Sequence, residues 1–279
     1  MKNQLRKIYN LALKSRIFQL RINELIKKKK FKLPIHLAFG HEFVSSVVKI
    51  NFKKKDKLLL THRNIHFSSI FSKNVLKKYL KFSVRSNTKN YNSEGSMNYT
   101  DTNANIPYSS SILGNNMSVA CGVAKSIKKK GGITICVTGD GAIEEGGFYE
   151  SLLLSKYLKL PLVFLIENNN WSMGTTIKER RSDINFKYLA KSLGIDFFKF
   201  KRLDIMKNIN VYKNAVDKCR KNKLPIICEF EVKTLGTFNS SGKIIKYHHG
   251  PMKLNIENNI IGKANDDIIH NIKSKLKNR

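Results

Sequence analysis

Two apolar runs that each end in an oxygen-bearing side chain constrain the fold of this chain more than any other feature. The run ITICVT leads into Gly-Asp-Gly with Asp140, and the run LVFLI leads into Glu-Asn-Asn with Asn169, 29 positions later. This interval accommodates one strand–helix–strand unit, which places both strand ends at the same edge of a parallel sheet. We therefore expect Asp140 and Asn169 to lie close together.

Predicted strands and helices alternate through most of the chain. Strands are expected near residues 57–64, 133–138, 162–166, 195–200 and 225–232, and helices near 4–26, 112–130, 144–158, 186–193 and 205–221. Apolar strands separated by helices predict an α/β fold with a doubly wound, mostly parallel sheet covered by helices on both faces. We divide the chain into an N-terminal helical arm, 1–30, and an α/β domain, 31–279. The long polar stretch 83–106 is expected to be functional or disordered.

The net charge of +32 raises the question of a nucleic-acid partner. Lysines are spread along the whole chain, and the runs at 27–30, 53–55 and 128–130 fall at predicted helix ends or loops, where they stay hydrated. We therefore favour a solvated surface and expect no nucleic-acid role. An acidic protein surface is the alternative partner for this charge.

Cysteine usage and hydropathy bear on where such a chain works. The four cysteines form no C-x-x-C pair, which predicts reduced, buried thiols rather than a metal or disulfide framework. No stretch approaches the roughly 18 apolar residues that a membrane helix needs. The first 30 residues lack the features of a signal peptide. We expect a cytoplasmic chain without a membrane segment.

The predicted strand ends carry ligands that suit a divalent cation. Mg²⁺ prefers oxygen ligands and commonly combines one or two protein oxygens with substrate phosphates. Asp140 offers a carboxylate and Asn169 a neutral carbonyl, while glycine at 141 allows close backbone approach. The amides of Gly141 and Ala142 are expected at the start of the next helix, where an anion is favoured. These features predict a cation held against a diphosphate; the alternative is an ordinary turn and an ordinary loop.

The run GDGAIEEGGFYES…LPLVFLIENNNWSMGT resembles the thiamine diphosphate motif of the alpha subunits of 2-oxo acid dehydrogenases. These proteins are the decarboxylating first components of the pyruvate, branched-chain and acetoin dehydrogenase complexes. The resemblance extends from about residue 5 to 235 and is specific across 138–175. It implies that Asp140, the Asn169 side chain and the backbone carbonyl of Trp171 hold Mg²⁺. It also implies that Gly141 and Ala142 contact the diphosphate of thiamine diphosphate.

Two further segments supply cofactor contacts by the same resemblance. LTHRNIHFSS is similar to the family's Tyr-Arg segment, so Arg63 would pair with the diphosphate and His62 would replace the tyrosine. A guanidinium suits such a bidentate contact. NIPYSSSILG matches the stretch whose backbone passes the cofactor rings, with Asn105 and Pro107 at the matching positions.

Histidines are the expected catalytic residues. PIHLAFGHE resembles the family's H-x-x-x-G-Q-E segment and puts His36 at a substrate-facing position, while His66 lies one residue after the family's usual histidine. Both are expected to stabilise the substrate carboxylate or to relay protons. The family's loop histidine is replaced by Asn98. The family's Tyr-Arg-x-x-Gly-His-Ser segment is absent, and His248 or His249 is the candidate to take over its role.

Activation of the cofactor requires a carboxylic acid for which this chain offers no good candidate. In the two-chain members of the family that glutamate comes from a beta subunit. The resemblance therefore implies an α₂β₂ heterotetramer acting on a small 2-oxo acid, with a lipoyl acyltransferase as acceptor if a full complex forms. The alternatives are the N-terminal half of a split transketolase or another thiamine diphosphate-dependent carbon–carbon lyase, and a degenerate, non-enzymatic scaffold.

Overall fold

A computed structural model describes residues 2–31, 34–81, 95–240, 243–245 and 251–277 of the chain. His248 and His249, suggested above as substitutes for a missing motif, lie outside the described residues, as do positions 83–94 of the polar stretch.

The described residues form ten α-helices, labelled in chain order: α1 Lys2–Lys27, α2 Glu42–Asn51, α3 Ile65–Phe71, α4 Val75–Leu80, α5 Asn115–Ile127, α6 Gly146–Tyr157, α7 Ile177–Arg180, α8 Phe186–Ser192, α9 Ile205–Asn222 and α10 Ile268–Lys277. They also form twelve strands: β1 Lys57–Thr61, β2 Tyr108–Ser110, β3 Thr134–Gly139, β4 Leu162–Asn168, β5 Trp171–Ser172, β6 Thr175–Thr176, β7 Asp196–Phe200, β8 Ile226–Glu231, β9 Phe238–Ser240, β10 Lys243–Ile245, β11 Ile256–Glu257 and β12 Ile260–Ile261. Among these helices, none combines the length and the apolar character needed to span a membrane.

A six-stranded sheet forms the centre of the fold, in the order β2-β1-β3-β4-β8-β7. Every neighbouring pair in this sheet is parallel. The carboxyl ends of all six strands therefore meet at one edge, which we call the carboxyl edge. The predicted α/β fold with a mostly parallel sheet is confirmed.

The sheet strands form where apolar, β-branched residues run without interruption. In β3 the first five residues are buried, and in β4 the first six are buried, as expected for strands covered on both faces. Helices α5 and α6 pack on this sheet through a shared core. Phe148 of α6, which is fully buried, lies at its centre against Phe164 and Phe186, with ring centroids 6.0 and 6.2 Å away.

The described residues divide into two compact units, and the predicted arm 1–30 and domain 31–279 stay a prediction. The first unit comprises residues 1–50, 62–99 and 233–279, and the second comprises 51–61 and 100–232. The second unit holds the complete six-stranded sheet and the helices from α5 to α9. The first holds α1 to α4 and α10, so α1 shares its unit with later segments of the chain.

A buried ionic network joins distant segments of the first unit. The guanidinium of Arg16 donates to Glu42 at 2.7 Å and to both carboxylate oxygens of Asp267 at 2.6 and 3.0 Å. All three side chains are inaccessible to solvent. Burial acts to lower the pKa of Arg16, but Glu42 and Asp267 outweigh it and raise that pKa. The network ties α1 to the start of α2 and to the segment before α10.

Candidate functional site

The ends of β3 and β4 bring Asp140 and Asn169 together, as their spacing predicts. The two strands are neighbours, with Gly139 paired to Glu167. The backbone amide of Asn169 lies 3.4 Å from Oδ1 of Asp140, which is buried. The side-chain carbonyl of Asn169 accepts a hydrogen bond from the amide of Trp171 at 3.0 Å. The predicted metal ligands thus lie on one short stretch of the carboxyl edge in the second unit.

A tight hairpin follows Asn169 and folds over the Gly-Asp-Gly turn. Strands β5 and β6 pair in antiparallel fashion across Met173 and Gly174, which both have positive φ, of 54° and 100°. Two such residues match the type I′ turn that suits short hairpins. The hairpin places Ser172 so close to Gly141 that a Cβ added to this glycine would lie 2.4 Å from the serine hydroxyl. Only glycine fits at 141, and this glycine is partly exposed.

The helix after the Gly-Asp-Gly turn begins later than predicted. Residues Ala142–Glu144 form a short 3₁₀ turn, and α6 starts only at Gly146. The amides of Gly141 and Ala142 therefore lie at the start of this short 3₁₀ turn, and their contact with an anion stays a prediction. The predicted glutamate start overlooked Gly146 and Gly147, which the backbone places inside α6. Any anion contact at 141 and 142 depends on these backbone amides themselves.

An arginine that the sequence analysis did not single out contacts the predicted metal ligand. Nη2 of Arg180, at the end of α7, donates to Oδ2 of Asp140 at 2.8 Å. Its Nε lies 3.2 and 3.1 Å from the two carboxylate oxygens of Glu144. Arg181 donates to the same Glu144 at 2.9 Å. The contact with Asp140 spans 40 positions and follows the path of the hairpin, so no local pattern signals it.

The pKa values of Asp140 and Arg180 are both raised, for different physical reasons. Burial raises the pKa of Asp140, and the hydrogen bond and charge of Arg180 limit that rise. For Arg180, burial acts to lower the pKa, but hydrogen bonds to Glu144 and Asp140 outweigh it and raise the pKa. The Asp140 carboxylate is thus held in a poorly solvated place where a cation stabilises it.

Asn105 and Pro107 lie just before β2, and their predicted contact with the cofactor stays a prediction. Both precede β2, so parallel pairing leaves them near the amino end of β1. The side chain of Asn105 accepts a hydrogen bond from Lys57 at 2.7 Å and donates to the carbonyl of Lys54 at 2.9 Å. The carbonyl of Asn105 accepts from the amide of Leu58 at 2.9 Å.

The segment after β2, rather than before it, reaches the carboxyl edge. Ile112 and Leu113 follow that strand and are exposed, by 67% and 37%. Gly114 has φ +79°, and a Cβ on it would lie 2.8 Å from the side chain of Glu145. Two features of the sequence indicate that this segment lies at the carboxyl edge. It follows β2 in the chain, and it has two apolar residues before a glycine.

The first unit holds the other predicted site residues. Arg63, two positions after β1, donates through Nη1 to the carbonyl of Leu37. The rings of His36 and His62 pack edge to face with centroids 4.7 Å apart. His36 is buried and His62 is partly exposed. The structure therefore brings His36, His62 and Arg63 into one neighbourhood within this unit.

The second predicted catalytic histidine has a different neighbour. His66 is fully buried on α3, and its ring centroid lies 5.5 Å from that of His41. A ring nitrogen of His41 shares a 2.8 Å hydrogen bond with the hydroxyl of Thr234. His41 was not among the predicted residues. His41 occupies the glutamine position of the H-x-x-x-G-Q-E pattern, and this substitution could have identified it from the sequence.

The residues at the carboxyl edge of the second unit fit a divalent cation bound to a diphosphate. One carboxylate, one amide carbonyl and the nearby backbone of Trp171 are the hard oxygen donors that Mg²⁺ prefers. The backbone of Gly141 beside them approaches Ser172 too closely for any other residue. A backbone of this kind is suited to contact phosphate oxygens through its amides.

Comparison with known protein families identifies one whose model covers nearly the whole chain. Residues 9–273 match the model of the dehydrogenase E1 component. Among curated proteins, the chain is 30% identical over 203 residues to a pyruvate dehydrogenase E1 component subunit alpha of Rickettsia bellii, covering 71% of this chain and 61% of that protein. A testis-specific, mitochondrial form from Rattus norvegicus is 28% identical, with 77% of this chain and 55% of that protein covered. The chain therefore spans about three-fifths of the curated relatives it matches.

Solved structures share the fold at low sequence identity. A transketolase from Leishmania mexicana superposes with a TM-score of 0.64 at 16% identity, covering 97% of this chain and 41% of that one. A transketolase from Pichia stipitis gives 0.61 at 16% identity, covering 99% of this chain and 41% of that one. These similarities establish the fold alone.

Proposed function

The chain belongs to the dehydrogenase E1 component family, and on that premise we propose that it is the alpha subunit of a thiamine diphosphate-dependent 2-oxo acid dehydrogenase. The observation that carries the proposal is the meeting of Asp140 and Asn169 at adjacent strand ends. A pyruvate-like substrate is favoured because the curated relatives carry that name.

In this proposal the second unit binds the cofactor's charged end. Asp140, the Asn169 carbonyl and the Trp171 backbone carbonyl would hold Mg²⁺, and the amides of Gly141 and Ala142 would bind phosphate oxygens. When bound, thiamine diphosphate supplies a nucleophilic carbon and an electron sink for decarboxylation. The buried Asp140 carboxylate binds a cation strongly because few waters compete for it.

For the first unit we carry forward the roles that the family resemblance implies. Arg63 would bind the diphosphate, with His62 beside it. His36 would orient the carboxylate of the substrate, and His66 would assist proton or acyl transfer. The edge-to-face packing of His36 on His62 supports a fixed ring orientation for His36.

We further propose that a beta subunit completes the enzyme in an α₂β₂ heterotetramer, with a lipoyl acyltransferase as the acceptor where a full complex forms. Helix α6, which follows the Gly-Asp-Gly turn, supports a partner surface because it exposes large apolar side chains. Leu153, Leu154 and Tyr157 are exposed by 57%, 42% and 82%. Clusters of exposed apolar residues on a helix commonly mark protein interfaces. The cytoplasmic location expected from the sequence stays a prediction.

The test is turnover of pyruvate and branched-chain 2-oxo acids with an artificial electron acceptor, thiamine diphosphate and Mg²⁺. The full chain is assayed alone and with a beta-type subunit from the same genome. We expect turnover only with both chains present, and none when Asp140→Ala replaces the wild type. Asp183→Asn removes an exposed carboxylate from the same unit and should retain activity. Turnover by this chain alone would contradict the need for a partner, and no turnover with it would contradict the function.

The alternatives are less well supported. The transketolase similarity, at 16% identity, establishes a shared fold and does not favour a split transketolase. A degenerate scaffold is disfavoured because the oxygen donors and the constrained glycine at 141 are all in place.

A further inference from the structure

Arg180 occupies a central place in the charge network at the predicted cation site. Its three nitrogens contact three different groups. Nη2 donates to Asp140 at 2.8 Å, Nε to Glu144 at 3.1 Å, and Nη1 to the carbonyl of Thr175 at 2.6 Å. The side chain is only 15% exposed. Because Arg180 contacts a predicted metal ligand, binding of a ligand at this site would affect its hydrogen bonds.

A free divalent cation and Arg180 need the same carboxylate. Oδ1 of Asp140 faces the backbone amide of Asn169, and Oδ2 faces Arg180. A cation bound to Asp140 at about 2.1 Å would stand close to the guanidinium and be repelled by it. Binding of the cation alone therefore weakens the charge-assisted hydrogen bond between Arg180 and Asp140 and provides no replacement for it. This loss should lower the affinity for the free cation on the order of tenfold.

A bound diphosphate would give Arg180 a new acceptor in place of the hydrogen bond that the cation weakens. Nη2 of Arg180 lies 3.9 Å from the position that a Cβ on Gly141 would occupy, on the same side as Ser172. The guanidinium therefore borders the backbone proposed to hold phosphate oxygens. Arginine donates in a planar fork that matches phosphate geometry, so it can exchange a carboxylate for a diphosphate oxygen.

Arg180 can make this exchange without leaving the site. Its bonds to Glu144 and Thr175 hold the side chain while Nη2 changes partner. The backbone is fixed as well, because Thr176 and Glu179 form a capping box at the start of α7. In that box the amide of Thr176 donates to Glu179 at 2.6 Å.

We propose that Arg180 is a diphosphate-binding residue that also competes with free divalent cations for Asp140, so that cation and diphosphate bind as a pair. The proposal rests on the proposed function in taking Asp140 as the cation ligand. It implies positive coupling between the two ligands, since each offsets the cost of binding the other.

Arg180→Gln and its neighbour Arg181→Gln form a matched test pair. Each removes one positive charge, and the side chains are 15% and 14% exposed. Arg181 donates to Glu144 and to the carbonyl of Ser182, so its loss leaves the Asp140 pair in place. Mn²⁺ affinity of the full chain is measured by electron paramagnetic resonance without phosphate, and inorganic pyrophosphate affinity by calorimetry at saturating Mn²⁺. Circular dichroism checks that both variants fold.

The proposal predicts effects of opposite sign in Arg180→Gln. Mn²⁺ alone should bind on the order of tenfold more tightly, and pyrophosphate on the order of tenfold more weakly. Arg181→Gln should change both far less, and Arg180→Lys should fall between the wild type and Arg180→Gln because it keeps the charge and loses the fork. If both affinities move in the same direction in Arg180→Gln, or if Arg181→Gln behaves alike, the proposal is overturned.

A separate titration with thiamine diphosphate distinguishes this proposal from the proposed function. If the wild type binds Mn²⁺ and pyrophosphate but not thiamine diphosphate, even with its partner, the function fails while opposite shifts in Arg180→Gln still support the role of Arg180. If thiamine diphosphate binds and the shifts are absent, the function stands and the role of Arg180 is overturned. If neither the wild type nor Arg180→Gln binds Mn²⁺, both proposals fall.

Discussion

Replacing Arg16 by Met should destabilise the protein strongly, because Arg16 is the cation of a buried ionic network. The change removes three hydrogen bonds to carboxylates and a fourth, at 2.9 Å, to the carbonyl of Asn259. Glu42 and Asp267 then stay behind as carboxylates in a solvent-free place. Breaking a buried ion pair from one side costs about 3–5 kcal/mol. We expect about 4 kcal/mol here, because backbone amides still bind both carboxylates.

The measurement is guanidinium denaturation followed by circular dichroism, combined with amide exchange in α1. A loss of about 4 kcal/mol speeds exchange of the most protected α1 amides by roughly a thousandfold where global opening limits exchange. The triple variant Arg16→Met, Glu42→Gln, Asp267→Asn removes the stranded charges and should recover much of the loss. The reasoning is refuted if Arg16→Met lies within 1 kcal/mol of the wild type, which is about the value of a single ordinary hydrogen bond, or if the triple variant is no more stable than the single one.

Three further predictions follow from the second unit. The buried cysteines should not react with a thiol reagent at pH 8 until denaturant is added, because burial raises the pKa of Cys121 to about 11 and leaves roughly one thiolate in a thousand; labelling of the native chain would contradict this. Gly141→Ala should weaken thiamine diphosphate binding in a calorimetric titration, and adding Ser172→Gly should restore part of it by removing the 2.4 Å clash; no rescue would count against the clash. Tyr157→Asp should abolish co-elution with a beta subunit in gel filtration while changing stability by less than about 0.5 kcal/mol, since this side chain is 82% exposed; unaltered co-elution would exclude α6 from the interface.

Local periodicity predicted most of the regular structure. The expected helix at 205–221 is α9, Ile205–Asn222, and the expected strand at 162–166 is β4, Leu162–Asn168. These segments succeed because their apolar pattern and their burial coincide over several turns or residues. The four cysteines are buried and unpaired within the described residues, and their reduced state stays a prediction.

The proximity of Asp140 and Asn169 could also be predicted from the sequence, because parallel strands joined by one helix leave little choice of geometry. Asn105 and Pro107 precede β2, so strand direction leaves them near the amino end of β1, and their role beside the cofactor stays a prediction.

The contacts of Arg180 and Arg181 could not be predicted from sequence patterns. Their contacts with Asp140 and Glu144 depend on how the β5–β6 hairpin turns at Met173 and folds back over the glycine turn. Loop paths are set by long-range packing, and no spacing rule connects residues so far apart in a chain. Only the three-dimensional structure therefore shows that these charged side chains lie beside the turn that carries Asp140.

The most direct test of the account is whether thiamine diphosphate binding depends on both Mg²⁺ and the two strand-end ligands. Trp171 is the only tryptophan of the chain and lies two positions after Asn169, so its fluorescence reports on this site. We predict a saturable change with thiamine diphosphate and Mg²⁺, lost on chelation, in the full chain with its partner. Asp140→Ala and Asn169→Ala should each weaken it by at least the roughly 10–100-fold known for outer-shell metal residues. Equal binding by the wild type and both variants would contradict the assignment of the site.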